Sequence, residues 1–231
     1  IDSHNIGIIG LSEGGLIASM IAAKSPAVKF IVLMAPALCS DLDSWLEYVA
    51  LQFRADGAAE EFIAHDRIIR EKIYYAVTQQ PDYQIAEKQL YEIINDYFVT
   101  MTEQEKNESE KLHFAFTDKK LDMFVKVFNS SWYRFFWQTD SKVFLEQIRC
   151  PVLCINGDRD YIATASKNFP KLEQCLKKAG NQDFTCIELH GLNHAFQTCQ
   201  TGSLFEYGTI QETLALQALN AIGDWIMDHV Q

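Results

Sequence analysis

Apolar residues come in short unbroken runs at both ends of the chain and at helical spacing in the middle. Ile6 to Ile9 is a brief apolar run rich in β-branched residues. Gly14 to Ala23 spaces its apolar positions as a helix does, and Pro26 forbids that helix from continuing. Val28 to Met34, VKFIVLM, is a second apolar run. Strands that are apolar at nearly every position are buried on both faces, so this opening predicts a βαβ unit in a parallel sheet. The same pattern returns late in the chain. Pro151 leads into VLCINGDRD, a strand ending in a Gly-Asp turn. Phe169 to Ala179 reads as a helix with Gly180-Asn181 as its stop, and FTCIEL at 184–189 as another strand. Thr213 to Val230 reads as a closing helix, with Leu216, Leu219, Ile222, Gly223 and Ile226 on its apolar side.

Between these stretches the period is helical. Ser40 and Asp43 look like a capping box ahead of Leu42, Trp45, Leu46, Val49 and Phe53, which share one helical face. Leu90, Ile93, Ile94, Tyr97 and Phe98 repeat the spacing, as do Leu121, Phe124, Val125 and Phe128. TEQEKNESEK at 102–111 has little apolar content and reads as a solvated helix face or a loop. SWYRFFWQTD at 131–140 is dense in aromatics. The expected architecture is α/β: residues 1–39 and 148–231 form a parallel sheet of about four strands with its helices, and 40–147 is a helical insertion.

Composition narrows the class. With 231 residues and 48% hydrophobic content the chain can bury a sizeable core. Its net charge is -11 and no Lys/Arg cluster occurs, which excludes a nucleic-acid binder. No apolar run reaches the roughly 18 residues of a membrane span. The cysteines are Cys39, Cys150, Cys154, Cys175, Cys186 and Cys199, none in CxxC and none at zinc spacing with histidine. Cys150, Cys154 and Cys186 lie in strand-like runs and are expected to be buried small hydrophobes. That usage suits a reducing compartment such as the cytoplasm and leaves an upstream signal peptide open.

One stretch carries chemistry. Gly10-Leu11-Ser12-Glu13-Gly14 fits G-x-S-x-G, directly after a predicted strand and before a predicted helix. A serine on so sharp a turn holds strained backbone angles, and small residues are expected two positions to either side. The turn lifts the hydroxyl clear of the sheet, with the Glu13 N–H aimed at the oxygen of an attacked carbonyl. A phosphate-cradling P-loop is ruled out, because no Lys follows the second glycine.

A serine needs a base, and the base an orienting acid. In a parallel sheet of this kind, loops at the C-terminal ends of later strands supply them. Asp160 follows the strand at 152–156, with Asp158 as its rival. His194 follows the strand at 184–189 through HGLNH, with His190 as its rival. Asp160 and His194 are favoured, His194 because it lies deeper in a loop that can reach back. His4, His65, His113 and His229 carry no such signal.

GLSEGG, PVLCINGDRD and GLNHAFQTCQTGSLFEYGTIQET together resemble the α/β-hydrolase superfamily, over residues 5–40 and 148–230. The likeness is to the branch with dienelactone-hydrolase-like esterases and serine aminopeptidase-like members. It implies a triad of Ser12, Asp160 and His194, an oxyanion donor in the Glu13 backbone, and an insertion at the usual lid position. It also implies that this is the C-terminal part of the fold, without the upstream loop that gives the second oxyanion N–H. The strand at 6–9 would then have an unpaired edge open to self-association. The expected activity is hydrolysis of a small-molecule carboxylic ester through an acyl-enzyme, with no metal or organic cofactor. Peptidase, thioesterase and a catalytically incomplete fragment are the alternatives. WYRFFW at 132–137 either walls an acyl pocket or packs the helices together.

Overall fold

The computed structural model describes residues 6–229; His4 and the expected helix end at Val230 lie outside them. The chain begins β1 (Gly7–Leu11), α1 (Glu13–Ala22) and β2 (Phe30–Met34). Six helices follow: α2 (Leu42–Ala55), α3 (Glu60–Gln79), α4 (Tyr83–Thr100), α5 (Glu103–Ser109), α6 (Leu121–Phe128) and α7 (Ser131–Gln138). It ends with α8 (Lys142–Leu145), β3 (Val152–Gly157), α9 (Ala165–Lys178), β4 (Phe184–Leu189), α10 (Leu204–Tyr207) and α11 (Leu216–His229). Two compact units result: Ile1–Cys39 with Asp140–Gln231, and Ser40–Thr139. The first unit takes up the chain again at Asp140, earlier than the expected 148, because α8 packs against α1 and α9.

The first unit is the expected α/β layer, with four parallel strands in the order β1-β2-β3-β4. FIVLM of β2 and VLCING of β3 are buried at every position, as central parallel strands require. Alternate residues face opposite sides. On one face Phe30, Val32, Met34, Leu153 and Ile155 pack with Ala218, Ile222 and Trp225 of α11. On the other, Ile31, Leu33, Val152 and Cys154 pack with Ala18 of α1 and Leu172, Cys175 and Leu176 of α9. Each fully buried Val, Leu, Ile, Phe or Met among them stabilises the fold by about 1.5–3 kcal/mol before entropy is counted. β1 sits at the sheet edge among the described residues, and Ile9 and Leu11 on it are 53% and 47% exposed.

The second unit is helical. Its core gathers Phe53 and Phe62 with Ile73, Leu90, Ile94, Phe116, Val125, Phe128 and Trp137. Within it lies a buried ion pair: Arg70 Nε donates to Asp66 and Arg70 Nη2 to the Phe114 carbonyl at 2.7 Å. The guanidinium carbon stands 4.7 Å from the Phe116 ring centroid. Of the WYRFFW aromatics, Trp137 is buried and stacks on Phe128 with centroids 5.9 Å apart, and Tyr133 and Phe136 pack against the same core. Helix packing therefore accounts for these three.

Two local expectations change, and one pair of alternatives is decided. The cap of α2 is Asp41, whose carboxylate accepts the Ser44 N–H at 3.0 Å, while Ser40 Oγ donates to the Thr139 carbonyl at 2.8 Å. Asp caps as well as Ser, and Asp41 is the residue with extended backbone before the first helical turn. The polar run at 102–111 holds a helix, α5, with a true capping box between Thr102 and Glu105. Finally, α9 starts at Ala165 rather than at the expected Phe169, so that Pro170 falls deeper inside it. The missing N–H there costs one bond of the helix ladder, and burial of Asn168, Leu172 and Cys175 holds the helix across it.

Candidate active site

No linker separates β1 from α1: Leu11 ends the strand, Glu13 opens the helix, and Ser12 alone makes the turn. Ser12 holds φ 54° and ψ -117°, a conformation that costs a non-glycine residue about 1–3 kcal/mol and persists only where neighbours enforce it. They do so here. The Ser12 N–H donates to the Met34 carbonyl at 2.9 Å, and its carbonyl accepts from Gly15 at 2.9 Å and Ala37 at 3.0 Å. A Cβ on Gly10 would stand 2.2 Å from the Gly14 carbonyl oxygen, because the first turn of α1 lies directly over it. The second tight position is not Gly14, where a Cβ meets nothing within 4 Å, but Gly15, where it would lie 2.6 Å from Pro36 Cβ. Glu13 is the first helical residue, and N–H groups there point out of the helix end.

Asp160 lies in the turn after β3 and is 2% exposed. Its Oδ1 accepts the backbone N–H groups of Ile162 at 2.9 Å and Ala163 at 3.0 Å, and its Oδ2 accepts Asn156 Nδ2 at 3.2 Å. These donors fix the carboxylate from below.

The loop after β4 folds back over the end of β3. Arg159 N–H donates to the Leu192 carbonyl at 3.1 Å, and a Cβ on Gly157 would stand 2.0 Å from that same oxygen. Gly157 is thus the residue that lets the loop cross. Buried Asn193 shapes the next turn: its Oδ1 accepts from Ala195 N–H at 3.0 Å and Gln197 N–H at 2.9 Å. His194 follows, with its Nδ1 3.0 Å from both Asp160 oxygens. A carboxylate only accepts, so Nδ1 is a donor here, which leaves Nε2 as the nitrogen with the lone pair in the neutral ring. The His194 backbone N–H donates to Tyr207 Oη at 3.1 Å. Burial, and then the nearby Asp160 charge, push the Tyr207 phenol well above its ordinary value, so it stays protonated at neutral pH.

The rivals pair with each other. His190 Nδ1 lies 2.6 Å from Asp158 Oδ2, and Asp158 Oδ1 accepts the Gly191 N–H at 2.7 Å. That histidine side chain is 89% exposed against 13% for His194. The pair fastens the base of the loop.

The structure brings Asp160 and His194 into contact, and all three sequence-derived residues follow C-terminal strand ends of one parallel sheet. No hydrogen bond joins Ser12 Oγ to His194 among the described residues. Sequence reasoning missed Tyr207 and the turn-forming role of Asn193. An Asn before a loop histidine is a recognisable turn former, whereas no pattern marks Tyr207, 13 residues after His194, as its partner. Among the described residues no group of three or more His, Cys, Asp or Glu side chains gathers as a metal site, and no helix is long and apolar enough to cross a membrane.

No protein-family model and no curated protein matches the chain. Solved structures do. An esterase of Pyrococcus furiosus is 14% identical with a TM-score of 0.46, covering 99% of this chain and 55% of its own. A monoacylglycerol lipase of Paleococcus ferrophilus is 16% identical at 0.41, covering 96% and 67%. A meta-cleavage product hydrolase of Pseudomonas fluorescens is 13% identical at 0.45, covering 100% and 67%. The chain thus spans between half and two thirds of these structures. The likeness is one of general fold, and at such scores it carries nothing about chemistry.

Proposed function

We propose that this chain holds the nucleophile, base and acid of a serine hydrolase of the α/β-hydrolase kind, acting on carboxylic esters. The observation that carries the reading is the buried Asp160 carboxylate orienting His194 Nδ1, on the same sheet end as a serine held at φ 54°. In this reading Ser12 Oγ attacks the ester carbonyl while His194 Nε2 takes its proton. The Glu13 N–H steadies the oxyanion, and His194 returns the proton to the leaving alcohol. Water, deprotonated by His194, then attacks the acyl-serine, releasing the acid and restoring the Ser12 hydroxyl. Asp160 holds the imidazole tautomer and balances its charge at both stages. Every step uses side chains and backbone alone. A peptidase or thioesterase would differ only in the leaving group.

A second reading is a catalytically incomplete part of a larger hydrolase. The exposed Ile9 and Leu11 on edge strand β1, beside exposed Ile17 and Ile21 of α1, favour it. Self-association through that same edge belongs with this reading.

Hydrolysis of a short p-nitrophenyl ester tests both. The ester reading expects turnover that S12A removes. Turnover that S12A leaves intact, with no acyl-serine formed, would count against Ser12 as nucleophile. Stoichiometric acylation without turnover would favour the incomplete site.

A further inference from the structure

Away from the loops that carry Asp160 and His194, two cysteines face each other within the sheet. Cys154 of β3 and Cys186 of β4 are direct partners in the parallel register. Opposed residues on neighbouring strands share a face, and both contribute to the packing under α9. Neighbouring strands lie about 4.7–4.9 Å apart, inside the roughly 4.4–6.8 Å between Cα atoms that a disulfide spans. Each thiol is thus the other's cross-strand neighbour on that face. We propose that Cys154 and Cys186 form a redox-active dithiol, which a small disulfide of the glutathione class converts into a cross-strand disulfide between β3 and β4.

The two sulfurs are unequal, and that sets their roles. Cys154 is fully buried, and burial together with Cys186 holds its proton on. Cys186 is half-buried on an edge strand, and the neighbouring Cys154 thiol draws its thiol below the ordinary range. From α9, Glu173 opposes that shift and Lys177 supports it. By contrast, burial pushes Cys150, Cys175 and Cys199 upward. Cys186 is therefore the attacking thiolate and Cys154 the resolving thiol.

The exchange balances in two steps. Cys186 sulfur attacks one sulfur of the glutathione disulfide, whose S–S bond breaks. One glutathione leaves with the electron pair and takes up the proton that Cys186 gave up. Cys154 then attacks the Cys186 sulfur of the mixed disulfide, loses its own proton, and expels the second glutathione as a thiol. Two cysteines are oxidised by two electrons in all, and one glutathione disulfide is reduced to two thiols. The product ties together the strands that precede Asp160 and His194. It stands or falls independently of any hydrolytic activity.

The test uses the natural chain. After incubation with oxidised glutathione at neutral pH, thiols are counted in denaturant and the unreduced protein is digested and mapped by mass spectrometry. The expected result is a loss of two thiols from the six cysteines, with one link joining the peptides that hold Cys154 and Cys186. C186A should form no link at Cys154, and C175A should keep the native link. Retention of all thiols, a link between any other pair, or a glutathione adduct on Cys186 that never resolves would each overturn the proposal. The natural-chain result decides whether or not a variant folds.

Discussion

His194 Nδ1 lies 3.0 Å from each Asp160 carboxylate oxygen, and four residues earlier His190 makes the same kind of pair with Asp158 at 2.6 Å. Two histidine–aspartate pairs thus span the same two loops, one buried and one in water. Their contributions should separate cleanly. D160N should lower kcat by about 10⁴ by presenting the wrong tautomer to the base. D158N removes an exposed ion pair and one acceptor for the Gly191 N–H, and should leave kcat within several-fold of the natural chain. Ester kinetics on both variants checks this; equal losses would contradict the assignment of the acid.

The glycines around Ser12 make a second contrast. A methyl at Gly10 must push into the Gly14 carbonyl at 2.2 Å, whereas a methyl at Gly14 meets open space. Overpacking of this kind costs about 1–3 kcal/mol or more, while Gly to Ala inside a helix gains up to about 1 kcal/mol. G10A should therefore lower the urea midpoint, and G14A should leave it unchanged or raise it.

In the helical unit, Arg70 and Asp66 neutralise each other where no water reaches them. Removing one partner of such a pair strands the other charge and costs about 3–5 kcal/mol. Arg70→Met should lose that much in denaturant unfolding. Asp66→Leu combined with Arg70→Met should recover most of it, because no buried charge is then left alone.

Glu105 offers a pH signature. Burial opposes its charge, but the Thr102 backbone and side chain and the His65 ring outweigh it and hold its carboxyl below the ordinary range. A carboxyl lowered on folding stabilises the native state fully above its unfolded value of about 4.3. That contribution fades as pH falls through the lower native value. E105Q should flatten the stability profile in that acid window and lower stability at neutral pH.

Much of this was legible in the chain because buried parallel strands announce themselves. FIVLM and VLCING have no polar face to hide, and β4 matches FTCIEL at both ends. The strand–Ser12–helix turn was legible because the three follow with nothing between them. What stayed hidden depends on contacts between distant residues. Local pattern favours Asp160 over Asp158 without showing which histidine each one meets. Leu192 crosses over Gly157, and His194 pairs with Asp160 while His190 pairs with Asp158 outside. Tyr207 was invisible because the fold of the 13-residue stretch that brings it back to His194 has no sequence signal. The run at 102–111 read equally as a solvated helix face or a loop because α5 is held by its Thr102–Glu105 cap rather than by an apolar stripe.

The most direct measurement is covalent labelling of the natural chain with a fluorophosphonate, followed by intact mass and peptide mapping. An activated Ser12 should take up one phosphonyl group on the Gly10–Gly14 peptide, S12A should take up none, and H194Q should react far more slowly. A chain that stays unlabelled, or labels at another residue, would contradict the account.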